Sequence, residues 1–312
     1  MEEVPSKRRD YDPRVTRHFL TGEEVTSEDL RGLLDRAAEL KADRLASRAL
    51  EGRSVALVFE RPSTRTRISF EVGVAELGGT PIVLREGEMQ LSRGESVRDT
   101  ALVLSRFVHA ICVRTGPHET LEELAEHGSV PVVNMLTHAH HPCQALADLF
   151  TMRERFGELE GLKLAYVGDG NNVARSLAIL GATAGMEVAI ASPAELSLDP
   201  VAGATLVTDP AEAADGAAAL YTDVWVSMGD EDADRRRELL APYRLDDALL
   251  DRARDDAIAL HCLPAHPGEE ITAEVLYGER SSVMNQAENR LHVQKALLER
   301  ILSETEPQEV AL

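Results

Sequence analysis

The stretch Val55 to Glu71, V-A-L-V-F-E-R-P-S-T-R-T-R-I-S-F-E, decides the fold. Val55 to Phe59 is a short, unbroken apolar run, the pattern of a buried parallel strand. Ser63 is placed to cap a helix that carries Thr66, Ile68, Phe70 and Val74. Strand passes into helix within a few residues, and at the turn three hydroxyls, Ser63, Thr64 and Thr66, alternate with Arg65 and Arg67. The N–H groups of a helix's first turn lack partners and sit at the positive end of its dipole, which suits a doubly charged phosphate. Arginine adds forked donors to the same anion. Standing alone, these letters fit equally well a capped helix with a solvated, Arg-rich first turn.

Outward from this stretch the chain alternates strands and helices. Upstream, Thr26 or Ser27 caps a helix through Lys41, with Leu30, Leu33, Leu34, Ala37 and Leu40 as its apolar stripe. Downstream follow a strand at Thr80–Leu84, a polar loop from Glu86 to Glu95 and a helix carrying Thr100, Leu104 and Phe107. A strand at Ala110–Val113, a helix near Thr120–His127 and a strand at Pro131–Asn134 complete the first half. The second half repeats this grammar: strands at Leu164–Val167, Glu187–Ala191, Ala219–Thr222 and Ala257–His261, with helices from Val173 and around Ala211–Asp215. Between the halves His141–Phe156 reads as one connecting helix, and Ala287–Leu302 as a last one before an acidic tail. Such alternation predicts an α/β protein with parallel sheets covered on both faces.

The 312 residues suit two domains, and 44% hydrophobic content supplies two cores. A net charge of −21, with only four lysines, argues against nucleic acid and against anionic membrane as partners, while a local Arg cluster can still collect a small anion. Cys112, Cys143 and Cys262 form no C-x-x-C pair and fit reduced thiols. The charged start lacks an apolar leader, so a cytoplasmic protein is expected.

Several motifs carry chemistry. H-P-C-Q, His141 to Gln144, opens the connecting helix with Pro in the first turn, and His and Gln one turn apart face the same way. One can polarise a carbonyl oxygen while the other accepts from an amide, although a histidine near a helix cap is the plain alternative. His138 and His140 lie nearby without the Cys or carboxylate pattern of a metal site. Arg114 ends a strand at the carboxyl edge, where open α/β sheets bind ligands. G-D-G-N-N, Gly168 to Asn172, invites a dinucleotide reading, but Val173 replaces the third glycine and the next strand ends in Ser192-Pro193 without a ribose-binding acid. Asp223, after an apolar strand in D-V-W-V-S-M-G, can fix an ammonium group. Cys262, in H-C-L-P, is inert packing or, beside an Asp in a cleft, a group that desolvates an amine.

Taken in order across residues 59 to 292, these motifs resemble the aspartate/ornithine carbamoyltransferase family. S-T-R-T-R matches its carbamoyl-phosphate loop, H-P-C-Q its carbamoyl contact, and S-M-G its ornithine-binding loop rather than the segment of the aspartate branch. The resemblance implies two doubly wound parallel-sheet domains joined by long helices, with the active site in the interdomain cleft. The first would be a carbamoyl-phosphate-binding domain over 1–140, with the helix of 287–312 packing back on it. Residues 141–156 would connect it to an ornithine-binding domain over 157–286.

It implies transfer of the carbamoyl group to the δ-amine of ornithine, without metal or organic cofactor. Ser63, Thr64, Arg65, Thr66, Gln90, Arg114, His141, Gln144, Cys262, Leu263 and Arg290 would hold carbamoyl phosphate, Gln90 being supplied by an adjoining subunit. Asn172, Asp223, Ser227 and Met228 would hold ornithine. Arg65, Arg114, His141, Asp223 and Cys262 would be catalytic, in a homotrimer or a multiple of trimers. Three departures stand out: Arg61 where many members have Lys, Met135 with Thr137-His138-Ala139 ahead of H-P-C-Q, and a short Ala194–Ala204 region. Competing readings are transfer to another amine, such as an acylated ornithine or a diamine, and a non-catalytic carbamoyl-phosphate-binding paralogue.

Overall fold

The computed structural model describes residues 18–89, 94–226 and 232–303. The expected site residues Gln90, Ser227 and Met228, and the acidic tail, lie outside them.

The first sheet is formed by β1 (Ser54–Phe59), β2 (Thr80–Arg85), β3 (Ala110–Arg114) and β4 (Val132–Leu136), all parallel in the order β2-β1-β3-β4. Its helices are α1 (Ser27–Ala42), α2 (Thr64–Glu76), α3 (Val97–Leu104) and α4 (His118–His127). Alternate residues of β1 sort to opposite faces. Val55, Leu57 and Phe59 join the core under α1 and α2, while Ala56 and Val58 join that under α3 and α4. Burial on both faces is why the run shows no polar alternation.

The connecting helix α5 (Pro142–Phe156) leads to the second sheet, β5 (Lys163–Val167), β6 (Glu187–Ala191), β7 (Ala204–Val207), β8 (Ala219–Thr222) and β9 (Ile258–His261), parallel in the order β7-β6-β5-β8-β9. Around it lie α6 (Asn172–Thr183), α7 (Pro210–Ala214), α8 (Ala233–Leu240), α9 (Asp247–Leu250) and α10 (Ala273–Tyr277). The terminal α11 (Val283–Ser303) packs against α5, α1 and α2. One apolar cluster runs without a break from β1 and α2 through α5 and α11 to β5, β6 and β8. No helix among the described residues is long and apolar enough to cross a membrane.

The structure corrects several expectations. Ile68 is 49% exposed, because α2 buries Thr66, Phe70, Gly73 and Val74 on one stripe and Ile68 falls outside it. Phe107 lies beyond the end of α3 and is 72% exposed. The last helix begins at Val283, four residues earlier than expected, so Ala287–His292 lies inside it. β7, α8, α9 and α10 carry too few periodic positions to stand out in the sequence, since each spans at most eight residues. Between β6 and β7 there is one short 3₁₀ turn, Ala194–Leu196, which accounts for the short region.

That turn also explains the glycine that invites a dinucleotide reading. A Cβ on Gly170 would stand 2.5 Å from the Leu196 carbonyl oxygen and 2.6 Å from the Leu198 nitrogen. The chain's own backbone fills the place a pyrophosphate would need. Gly170→Ala is expected to lower stability by roughly 1–3 kcal/mol, since backbone on both sides must shift. Equilibrium urea unfolding measures this, and an unchanged midpoint refutes the packing argument.

Candidate active site

Open α/β sheets bind ligands outside the carboxyl ends of their strands, where the strand order reverses. In the first sheet this point lies between β1 and β3, and in the second between β5 and β8. All four loops there carry residues singled out from the sequence.

On the first domain, Ser63 caps α2 as expected, its hydroxyl accepting from the Thr66 N–H at 3.4 Å. Thr66 is buried, and its hydroxyl accepts from Arg290 Nη2 at 2.6 Å. Arg290 reaches it from α11 and is itself only 4% exposed, so its guanidinium lies inside the protein and not on the helix surface. Arg114 ends β3 in register with Phe59 of β1, which places it beside the α2 loop. Its Nε and that of Arg290 are buried without protein partners. Burial, then the charges of Arg290, Arg65 and Arg61, pull the Arg114 pKa down to about 10. Several cations gathered in a desolvated place make a cluster suited to an anion. Arg61 lies beside Gly116 and His138, close enough to add to this field.

His141 caps α5 and is buried, its backbone N–H donating to Ser176 Oγ at 2.8 Å. Burial, Arg290 and Arg114 hold its pKa well below the usual histidine range. A neutral imidazole results, able to donate one hydrogen bond to a carbonyl oxygen without competing with the arginines. Gln144 sits one turn on, its Nε2 donating to Asp148 Oδ1 at 2.8 Å and its Oε1 buried without a partner.

On the second domain, Asp223 follows β8 and is 7% exposed. Its Oδ1 accepts from Cys262 Sγ and from the Val224 N–H, each at 2.8 Å, and its Oδ2 from Asn171 Nδ2 at 2.8 Å. Burial and the Asp223 charge push the Cys262 thiol well above its ordinary pKa, so it serves as a neutral donor rather than a nucleophile. The Tyr166 and Tyr221 rings stack at 5.7 Å and are fully buried, and the charge of Asp223 reaches both. Asp223, His261 and Cys262 bring three metal-type donors within 4.8 Å of one another. Those donors are already committed within the protein: the thiol to Asp223, His261 Nδ1 to the Leu263 N–H, and His261 Nε2 to Glu270.

The two halves meet directly. Arg65, exposed on the first turn of α2, donates through Nη2 to the Leu263 carbonyl at 2.7 Å. Leu263 has φ +60, a costly backbone for a branched residue, and this bond and His261 hold it from both sides. Asn172 Nδ2 donates across the cleft to the Thr137 carbonyl at 2.6 Å. The side chain that touches Asp223 is thus Asn171, which also caps α6 by accepting from Val173 and Ala174 N–H. Two further groups escaped the sequence reading. Asp148 was findable, standing at i+4 from Gln144 on a helix. Gln286, from α11, leaves no local signal.

The fold and site define an interdomain-cleft protein of two parallel α/β domains, with a cationic, desolvated anion site facing a carboxylate and thiol. The family model described as "Aspartate/ornithine carbamoyltransferase, carbamoyl-P binding domain" matches residues 17–154, and the companion "Asp/Orn binding domain" matches 160–301. A protein of Acidothermus cellulolyticus named ornithine carbamoyltransferase is 55% identical over 303 residues, 92% of this chain and 97% of its own. The solved ornithine carbamoyltransferase of Pyrococcus furiosus superposes with a TM-score of 0.86 at 43% identity, covering 91% of this chain and 96% of that one. That of Thermus thermophilus gives 0.85 at 45%, covering 91% and 98%. The chain belongs to the aspartate/ornithine carbamoyltransferase family.

Proposed function

We propose that the chain transfers the carbamoyl group of carbamoyl phosphate to the δ-amine of L-ornithine, giving L-citrulline and phosphate. The observation that carries this is the contact of two complementary half-sites. The arginine cluster around Thr66 suits a phosphorylated carbonyl compound, and the Asp223–Cys262 pair suits an amine.

In the reaction the neutral δ-nitrogen attacks the carbonyl carbon, and the carbonyl π pair moves to oxygen. Thr66, Arg114 and neutral His141 meet that developing oxyanion, while Ser63, Thr64, Arg65 and Gln90 hold the phosphate end. Collapse breaks the carbon–oxygen bond to phosphate, which leaves with the electron pair, and the amine proton passes to it. Gln144, Leu263 and Arg290 complete the carbamoyl-phosphate side. Asp223 and Cys262 orient the amine, and Asn172, Ser227 and Met228 grip the amino-acid end. The Arg65–Leu263 and Asn172–Thr137 bonds close the cleft over both substrates and exclude water.

The same proposal places the carbamoyl-phosphate half in residues 1–140, with α11 packed back on it, and the ornithine half in 157–286. It places the protein in the cytoplasm, in arginine synthesis, as a homotrimer. Ile68 on α2 and Ile82 on the edge strand β2 are exposed, and a cavity of about 290 Å³ lined by Pro62, Ser63, Thr64, Arg67 and Arg85 opens beside the loop. A second copy covering that face would carry its Gln90 to the phosphate end.

Purified protein mixed with carbamoyl phosphate and a panel of amines tests the reaction. Citrulline from ornithine, faster than product from acetylornithine or putrescine, is expected. No citrulline, or a preferred other amine, overturns the reading.

A further inference from the structure

One buried carboxylate has no place in the chemistry above. Asp148, fully buried on α5, takes two amides on a single oxygen: Oδ1 accepts from Gln144 Nε2 at 2.8 Å and from Gln286 Nε2 at 2.7 Å. Gln286 in turn accepts the backbone N–H of His261 through its Oε1 at 2.8 Å. The chain of bonds therefore runs from H-P-C-Q on α5, through α11, to the strand end that carries H-C-L-P.

A side-chain amide can be turned over at little cost in its own energy, and the two orientations present opposite hydrogen-bonding groups. An oxygen that only accepts removes that freedom. With its NH₂ held by Asp148, Gln144 keeps Oε1 as a buried acceptor without a protein partner. The NH₂ of a carbamoyl group needs such an acceptor, whereas a carboxylate in the same place meets oxygen against oxygen. We propose that Asp148 is a positioning residue: it locks the Gln144 amide so that the site selects a carbamoyl NH₂ over a carboxylate oxygen, and through Gln286 it ties that orientation to the H-C-L-P strand end. This rests on the reading that Gln144 faces the carbamoyl group.

Asp148 does this in either protonation state. Burial raises its pKa to about 7 against the opposing pull of Gln144, Gln286, Tyr221 and Arg290. A proton on Oδ2 leaves Oδ1 free to accept both amides. Asn at this position offers the same carbonyl acceptor, while Leu, of similar volume, offers none.

The test uses two stable analogues that differ in the discriminated group: phosphonoacetamide, which keeps the NH₂, and phosphonoacetate, which replaces it with oxygen. Calorimetric Kd values are measured for both on the full-length wild type, Asp148→Asn and Asp148→Leu, with thermal melts recorded alongside. The ratio of the phosphonoacetate Kd to the phosphonoacetamide Kd is expected to fall about tenfold or more in Asp148→Leu. It is expected to stay within about threefold of wild type in Asp148→Asn. A merely structural role would lower the melting temperature and weaken both ligands together. An unchanged ratio in Asp148→Leu, an equal loss in Asp148→Asn, or no binding of either analogue by wild type overturns the proposal. Ornithine is absent from this measurement, so the positioning role and the choice of amine fail separately.

Discussion

Asp223→Ala is expected to lower kcat/KM for ornithine by about a hundredfold, while the KM for carbamoyl phosphate changes little. The size follows from what the carboxylate holds. Both of its oxygens are occupied, Oδ1 by the Cys262 thiol and the Val224 N–H and Oδ2 by Asn171. Its removal deletes the charge-assisted contact to the amine and leaves the half-buried Cys262 and Asn171 donors without that acceptor. The charged contact is worth about 1.5–3 kcal/mol, one to two decades in kcat/KM, whereas the orphaned donors are present in free enzyme and complex alike and lower the stability of the fold instead. Asp223→Asn should rescue little. Whichever way its amide turns, its NH₂ faces a donor, Asn171 on one side or Cys262 and Val224 on the other. Steady-state citrulline formation with each substrate varied in turn provides the check. A loss of less than tenfold, or recovery in Asp223→Asn, would remove Asp223 from the amine's surroundings.

What the sequence made legible, and what it did not, follows from the range of the interactions. The Ser63 cap, the start of α2 and the strand before it were readable because capping and double-sided burial are written within a few residues. The site loops were readable as families of motifs, since each stands just after a strand. Arg290 was named through the resemblance, but a motif read as opening a helix gave no hint that the side chain is buried against Thr66, 224 positions away in sequence. Ile68 failed for the opposite reason. A branched residue one turn into a helix looks like core until the neighbouring elements fix which stripe is covered. Asn171 and Asn172 adjoin in sequence yet face different domains, because α6 starts between them and turns one side chain to Asp223 and the other to Thr137.

The arginine cluster leads to the opposite relation between activity and stability. Arg114→Met is expected to stabilise the ligand-free protein by about 1–3 kcal/mol and to lower kcat/KM by about a thousandfold or more. Methionine keeps most of the buried stem and drops the charge. The charge is what the fold pays for: a base whose folded pKa lies near 10, well below its free value, favours the unfolded chain. That penalty is present in full below pH 10 and is relieved only as pH rises above about 10, so it operates at every physiological pH. Carbamoyl phosphate reverses it by supplying an anion, and at a hundredfold excess over its Kd should add about 2.7 kcal/mol to the wild type. Urea unfolding with and without the ligand separates the effects. Wild type should gain stability on binding, and Arg114→Met should begin higher and gain little. A variant that is less stable without ligand would mean that the Arg114 guanidinium is already paired within the protein, and the anion site would then have to be sought around Arg65 and Arg290 alone.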